Sequence, residues 1–313
     1  MIKTAEDSFF CGFFRNFAGQ NHYSQLSMLD VKKTAVRAAS GAVYVILIIL
    51  ACLWGDLGVT LLAGILGALG VSEFRRMRFA ASAGGGIAAY DIAGALALIF
   101  LPIPSAIFPL PFALIWIIWL IGRMIITVFS RRQSPEKEFA VDMAAQLYIA
   151  LPLAIMVASG LFLQRTEDTC LPLLSLFVII WVNDTGAYLF GSIFGRHKLF
   201  ERVSPKKSWE GFWGGLACAV ATGVLVGVSD SPMGAVNVCC PILFWALAGL
   251  IISLASTFGD LFESVIKRNL HIKDSGNLIP GHGGILDRID SLLMVLPASL
   301  IYYIFYRLLS EII

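Results

Sequence analysis

Between Ser256 and Asp290 the chain alternates carboxylates with cations at intervals that suit the face of a helix. Ser256, Asp260, Glu263, Ser264 and Lys267 recur three and four residues apart, so one side of a helix carries them all. Asp287, Asp290 and Ser291 share a face in the same way where the next apolar run begins. Carboxylates brought together from two helices at a membrane boundary offer oxygen-only ligands. Such ligands suit a hard cation such as Mg²⁺, which keeps some waters and bridges to phosphates. The plainer alternative is a solvated loop in which each acid pairs with a neighbouring Lys or Arg. The shared face, and the position of Asp260 towards the buried side, favour a site, because unpaired intramembrane carboxylates are expensive.

Three further segments carry polar chemistry. Ser204, Lys206 and Lys207 lie just before an apolar run that opens near Trp209. A helix N-terminus there would attract phosphate through its free N–H groups and dipole, or the lysines could simply touch anionic head groups. Asp184, Tyr188 and Ser192, four residues apart, predict a polar stripe facing the bundle interior. Arg268, Lys273, Asp274 and Arg288 add charge around the last loop. His282 sits among Gly281, Gly283 and Gly284, where glycine lets the backbone approach an anion; it either donates to a phosphate or caps the turn. Gly186, Gly191, Gly195, Gly214 and Gly215 read as close helix packing. No pair of histidines has zinc-like spacing. Asp56, Glu73, Asp91 and Asp142 stand alone and are given no chemistry.

The elements that must hold these residues are dictated by lipid. Of 313 residues 58% are hydrophobic and 14% charged, against about a quarter charged in soluble domains. Continuous apolar runs bounded by charge, Gly and Pro predict nine spanning helices, roughly 37–55, 57–73, 84–102, 106–128, 139–163, 171–195, 211–229, 240–262 and 285–306. Their lack of alternation excludes a membrane barrel. Lysines and arginines fall almost wholly on one side of this topology, which places the N-terminus in the cytoplasm and the acidic and basic loops at the inner face. Residues 1–36 read as a cytoplasmic or interfacial arm, 37–165 as plain transmembrane helices, and 166–313 as a transmembrane catalytic region. The net charge of +2 makes no case for nucleic acid. The six cysteines fit no metal spacing, and a disulfide among Cys170, Cys239 and Cys240 stays open. No internal repeat is visible, which weighs against a transporter built from paired halves.

Read as a whole, KRNLHIKDSGNLIPGHGGILDRID from Lys267 to Asp290 resembles the signature of the phosphatidate cytidylyltransferase family. NDTGAY from Asn183, SPKKSWEGFWGG from Ser204 and STFGDLFES from Ser256 are similar to other blocks of that family, in the expected order. The resemblance implies an all-α polytopic protein of the cell's inner, cytoplasmic membrane that transfers a cytidylyl group from CTP to phosphatidate, giving CDP-diacylglycerol and pyrophosphate. It implies Mg²⁺, with a second cation left open, and membrane lipids as partners; a homodimer is also left open. On this reading Asp260, Asp287 and Asp290 hold metal and act in catalysis with Lys267 and Arg288. Asp184, Ser204, Lys206, Lys207, Ser256, Ser264, Arg268, Lys273, Asp274 and His282 contact the substrates. The nucleophile is already a phosphate oxyanion, so no Ser, Cys or His dyad is needed. A CTP-dependent polyprenol kinase is the nearest rival, and the full signature argues against it. A cytidylyltransferase of an ether-lipid phosphate is harder to separate. Transport would call for charge near the midplane.

Overall fold

The computed structural model describes residues 39–79, 85–103, 111–162, 170–233, 240–279 and 283–312. These residues form α1 (Ala39–Leu53), α2 (Gly55–Phe79), α3 (Gly85–Ile99), α4 (Pro111–Phe129) and α5 (Pro135–Ala145). A π turn, Gln146–Ala150, joins α5 to α6 (Leu151–Phe162) as one continuous rod. The chain continues as α7 (Leu171–Phe194), β1 (Lys198–Phe200), β2 (Ser204–Ser208), α8 (Trp209–Met233), α9 (Pro241–Asn269) and α10 (Leu286–Ile312). The nine rods expected from the apolar runs are therefore present among the described residues. Seven helices are long and apolar enough to cross a membrane, while Ala39–Leu53 and Ala88–Ile99 are shorter apolar helices. Helices satisfy every backbone group internally, which lipid requires. The protein is an all-α polytopic membrane bundle. Gly55, at φ 73°, breaks α1 from α2 in a backbone conformation that glycine adopts at little cost.

The core runs through Ile149, Leu153 and Met156 of the π turn and α6, Phe177 and Ile179 of α7, Ile252 of α9, and Leu286 and Ile289 of α10. Backbone contact without intervening side chains joins α7, α8 and α9. A Cβ on Gly211 would lie 3.1 Å from the Gly191 Cα, and one on Gly249 3.0 Å from the Val220 Cα. Small residues permit this spacing.

Helix α9 runs on to Asn269, past the apolar run that ends near 262, and carries Glu263, Ser264 and Lys267 on its inner side as their spacing predicts. Two expectations are corrected. The stretch 196–210, read as loop, contains the β1–β2 hairpin, with Lys198 paired to Ser208 and Phe200 to Ser204. Arg75 and Arg123, counted as inner-loop cations, are 3% and 1% exposed and pair with Asp91 and Asp142. Arg75 meets Asp142 at 2.6 Å, the Arg123 Nε donates to Asp142 at 2.6 Å, and Trp119 donates to Asp91 at 3.3 Å. Asp91 and Asp142 are thus halves of an ion cluster that ties α2, α3, α4 and α5 together. Cys52, Cys218 and Cys240 are free thiols, the Cys170 thiol donates to the Asp56 carboxylate at 3.7 Å, and Cys239 lies outside the described residues.

Candidate active site

Helices α1, α7 and α10 line a polar cavity of about 300 Å³, and polar residues of α9 and strand β2 pair with one another and with residues of α7 and α10. From α7 comes Asp184, whose Oδ1 accepts from the Ser256 hydroxyl at 3.3 Å and from the Asn183 amide at 3.1 Å. From α9 come Asp260, which accepts from Ser264 at 3.3 Å, and Glu263, which is 1% exposed. Helix α10 supplies Asp287, Arg288, Asp290 and Ser291, all lining the cavity, and the Ser291 hydroxyl donates to the Ser256 carbonyl at 3.3 Å. Helix α1 closes the far wall with Tyr44, whose hydroxyl donates to the Arg288 carbonyl at 3.1 Å. Strand β2 brings Lys207, paired with Asp260 at 2.9 Å and reaching the Thr257 carbonyl at 3.5 Å.

The alternation of a strand sends Lys207 and Lys206 to opposite sides, and Lys206 is exposed. Ser208, rather than the lysines, meets the start of α8: its hydroxyl oxygen accepts the Gly211 N–H at 3.2 Å. Ser204 opens the strand and is half-buried. Arg268 is turned towards the hairpin, donating to the Val203 carbonyl at 3.4 Å and to Ile272 at 3.3 Å. Lys273 and Asp274 are exposed on the loop after α9. His282 lies outside the described residues. The predicted stripe on α7 stops at Asp184: Tyr188 is 74% exposed and Ser192 is exposed, its hydroxyl donating to the Leu189 carbonyl of its own helix.

The charges within the site are unevenly satisfied. Lys267 bridges Glu263 and Asp287, at 2.6 Å to each. The second oxygen of Asp287 accepts the N–H groups of Ser275 and Gly284, both at 2.9 Å, so this carboxylate also fastens the loop. Asp290 stands in the field of Asp260 and Glu263, with Lys267 as its cationic neighbour. The Oε1 of Glu263 is buried without a hydrogen-bond partner. Among the described residues no group of three or more His, Cys, Asp or Glu side chains is placed to hold a metal ion by itself. A Mg²⁺ ion here would take one or two carboxylates and would complete its shell from phosphate and water. Beside the polar cavity lies an apolar one of about 1060 Å³ between α1 and α2, and the two share Ser40, Tyr44 and Ile279.

Tyr44, Ser275 and Glu73 look unremarkable in the sequence: Glu73 ends its apolar run beside Arg75 and Arg76, where an acid is ordinary.

The chain is similar to the phosphatidate cytidylyltransferase of Staphylococcus aureus (strain COL), 39% identical over 174 residues, covering 55% of this chain and 61% of that relative. The Staphylococcus haemolyticus (strain JCSC1435) phosphatidate cytidylyltransferase is 36% identical over 171 residues, with the same coverage. The Staphylococcus epidermidis (strain ATCC 12228 / FDA PCI 1200) phosphatidate cytidylyltransferase is 40% identical over 136 residues, 44% of this chain and 50% of the relative. These matches span between half and 61% of the relatives' own length. The family profile described as "Cytidylyltransferase family" matches residues 34–307, so the chain belongs to the cytidylyltransferase family.

Proposed function

We propose that the chain transfers a cytidylyl group from CTP to the phosphate of phosphatidate in the bilayer, at the cytoplasmic face. A phosphate oxygen of the lipid attacks the α-phosphorus of CTP. The bond from that phosphorus to the oxygen bridging to the β-phosphate breaks, and pyrophosphate leaves. The observation that carries this reading is the polar cavity beside the apolar one, which suits a substrate with an anionic head and apolar tails. The one-sided cation distribution supports the inner face.

The chemistry asks for alignment and charge neutralisation, since the nucleophile is already ionised. Asp260 and Asp290, with Asp287 beside them, would hold Mg²⁺, which when bound offsets negative charge on the phosphates. Lys207 and Lys267 would contact phosphate oxygens as their carboxylate partners turn to the cation, and Arg288 lines the polar cavity. Ser256 and Ser264 hold Asp184 and Asp260 in position. The region 166–313 carries the charges, with α1 and α2 forming the tail side.

The test is turnover by purified protein in detergent with CTP, phosphatidate and Mg²⁺, following labelled CDP-lipid and pyrophosphate together. Both products, lost on chelation, are expected. Conversion of a supplied polyprenol to its phosphate with release of CDP, and no CDP-lipid from phosphatidate, would assign the protein to kinase chemistry instead.

A further inference from the structure

We infer that Glu73, in the helix that otherwise serves the tail side, is a positioning residue for this site, holding Ser275 and the start of α10 at Ile285 and Leu286 so that Asp287 and Lys267 stand in register. The inference rests on the proposed cytidylyl transfer. Glu73 is buried and does not line the polar cavity. Its Oε2 accepts the Ile285 N–H at 2.9 Å, and its Oε1 accepts the Leu286 N–H at 3.1 Å and the Ser275 hydroxyl. The Ser275 oxygen in turn accepts the Asp287 N–H at 3.3 Å. Asp287 closes the circuit through the Ser275 and Gly284 N–H groups and passes it on to Lys267.

The first N–H groups of any helix lack intrahelical partners, and a local side chain normally caps them. Here the cap for α10 comes from α2, and its negative charge suits the positive end of the helix. Two glycines of the loop are shaped by this carboxylate. A Cβ on Gly284 would collide with the Glu73 Oε1 and the Ser275 Oγ, and one on Gly276 would lie 2.8 Å from the Glu73 Oε2. The glycines therefore make room for the protein's own acid. Removing the acid leaves the carboxylates and lysine of the site in the chain but frees the turn that aims them.

The experiment uses the full chain in detergent, with Glu73→Gln, Glu73→Ala and Ser275→Ala. Backbone hydrogen exchange over 283–290 is measured against α7 and α8, and kcat and KM are measured for CTP and phosphatidate. Glu73→Ala is expected to speed exchange at Ile285 and Leu286 while α7 and α8 stay protected. Its kcat should fall about 100-fold, the scale of a small misplacement, with KM within about threefold. Glu73→Gln keeps a carbonyl acceptor and should lie between Ala and wild type, and it stands in if Glu73→Ala does not fold. Ser275→Ala in the Glu73→Gln background should add less than its separate effect. Unchanged exchange at 285–286, or wild-type kcat in folded Glu73→Ala, would overturn the assignment. A wild type with no cytidylyl transfer would sink the proposed function alone, since the exchange measurement still decides whether Glu73 holds the turn.

Discussion

Two charged clusters lie inside this bundle and they are built differently. The one among α2, α3, α4 and α5 pairs two arginines with two aspartates, all at most 3% exposed. The one among α7, α9, α10 and β2 sets Lys207, Lys267 and Arg288 against Asp184, Asp260, Glu263, Asp287 and Asp290, beside a cavity. Arginine's planar fork suits fixed pairing, whereas lysine is a mobile point charge that can change partner. The first cluster neutralises itself and acts as a fastener. The second has an excess of carboxylate and an opening, which on the proposed function a cation and phosphates would complete. Charge buried in a membrane protein therefore marks function only where the count does not close locally.

Breaking the closed cluster should give the largest effect on the fold. Asp142→Asn strands Arg75 and Arg123 with Asp91 alone, and should cost ~3–5 kcal/mol of stability; thermal unfolding in detergent reads it, with the α9–α10 region losing structure last. Breaking the open cluster should leave stability intact. Asp290→Asn is expected to lower kcat by about 10²–10³ with an unchanged unfolding midpoint, and equal losses of both would merge the two clusters into one class. Lys207→Met removes the phosphate contact proposed for it and frees Asp260, so KM for CTP or phosphatidate should rise about tenfold, equivalent to ~1.4 kcal/mol. Which KM moves names the phosphate that Lys207 meets. Lys206→Ala, on the exposed side of the same strand, should change stability by no more than about 0.5 kcal/mol and leave both constants near wild type.

The nine rods were legible because lipid demands long apolar runs, and such runs are visible without knowledge of their neighbours. Helix ends were less so: the apolar run stops near 262, although α9 continues to Asn269 with Glu263 and Lys267 on its inner face. The hairpin escaped notice because strands of three and five residues carry too little alternation to register. Within the site, the spacing of Ser256, Asp260, Glu263 and Ser264 was readable as one face, since helical periodicity is local. Glu73 was not, because its partners are backbone N–H groups and a hydroxyl more than 200 positions away, and a backbone donor leaves no trace in residue type. Arg75 and Arg123 misled for a related reason: a charge at a helix end looks the same in sequence whether it meets water or a buried aspartate.

The glycine contacts that bring α7, α8 and α9 backbone to backbone bear on how the site responds to a change in charge. Asp184, Lys207 and Asp260 are carried on, or directly before, three helices with almost nothing soft between them. Water must reorient whenever charge shifts between atoms, and that reorientation adds to a barrier. Dipoles and charges bolted to one block move little, so the reorganisation contributed by this part of the protein is small. The rest of the reorganisation must then come from the substrates, their counter-ion and the loop that follows α9.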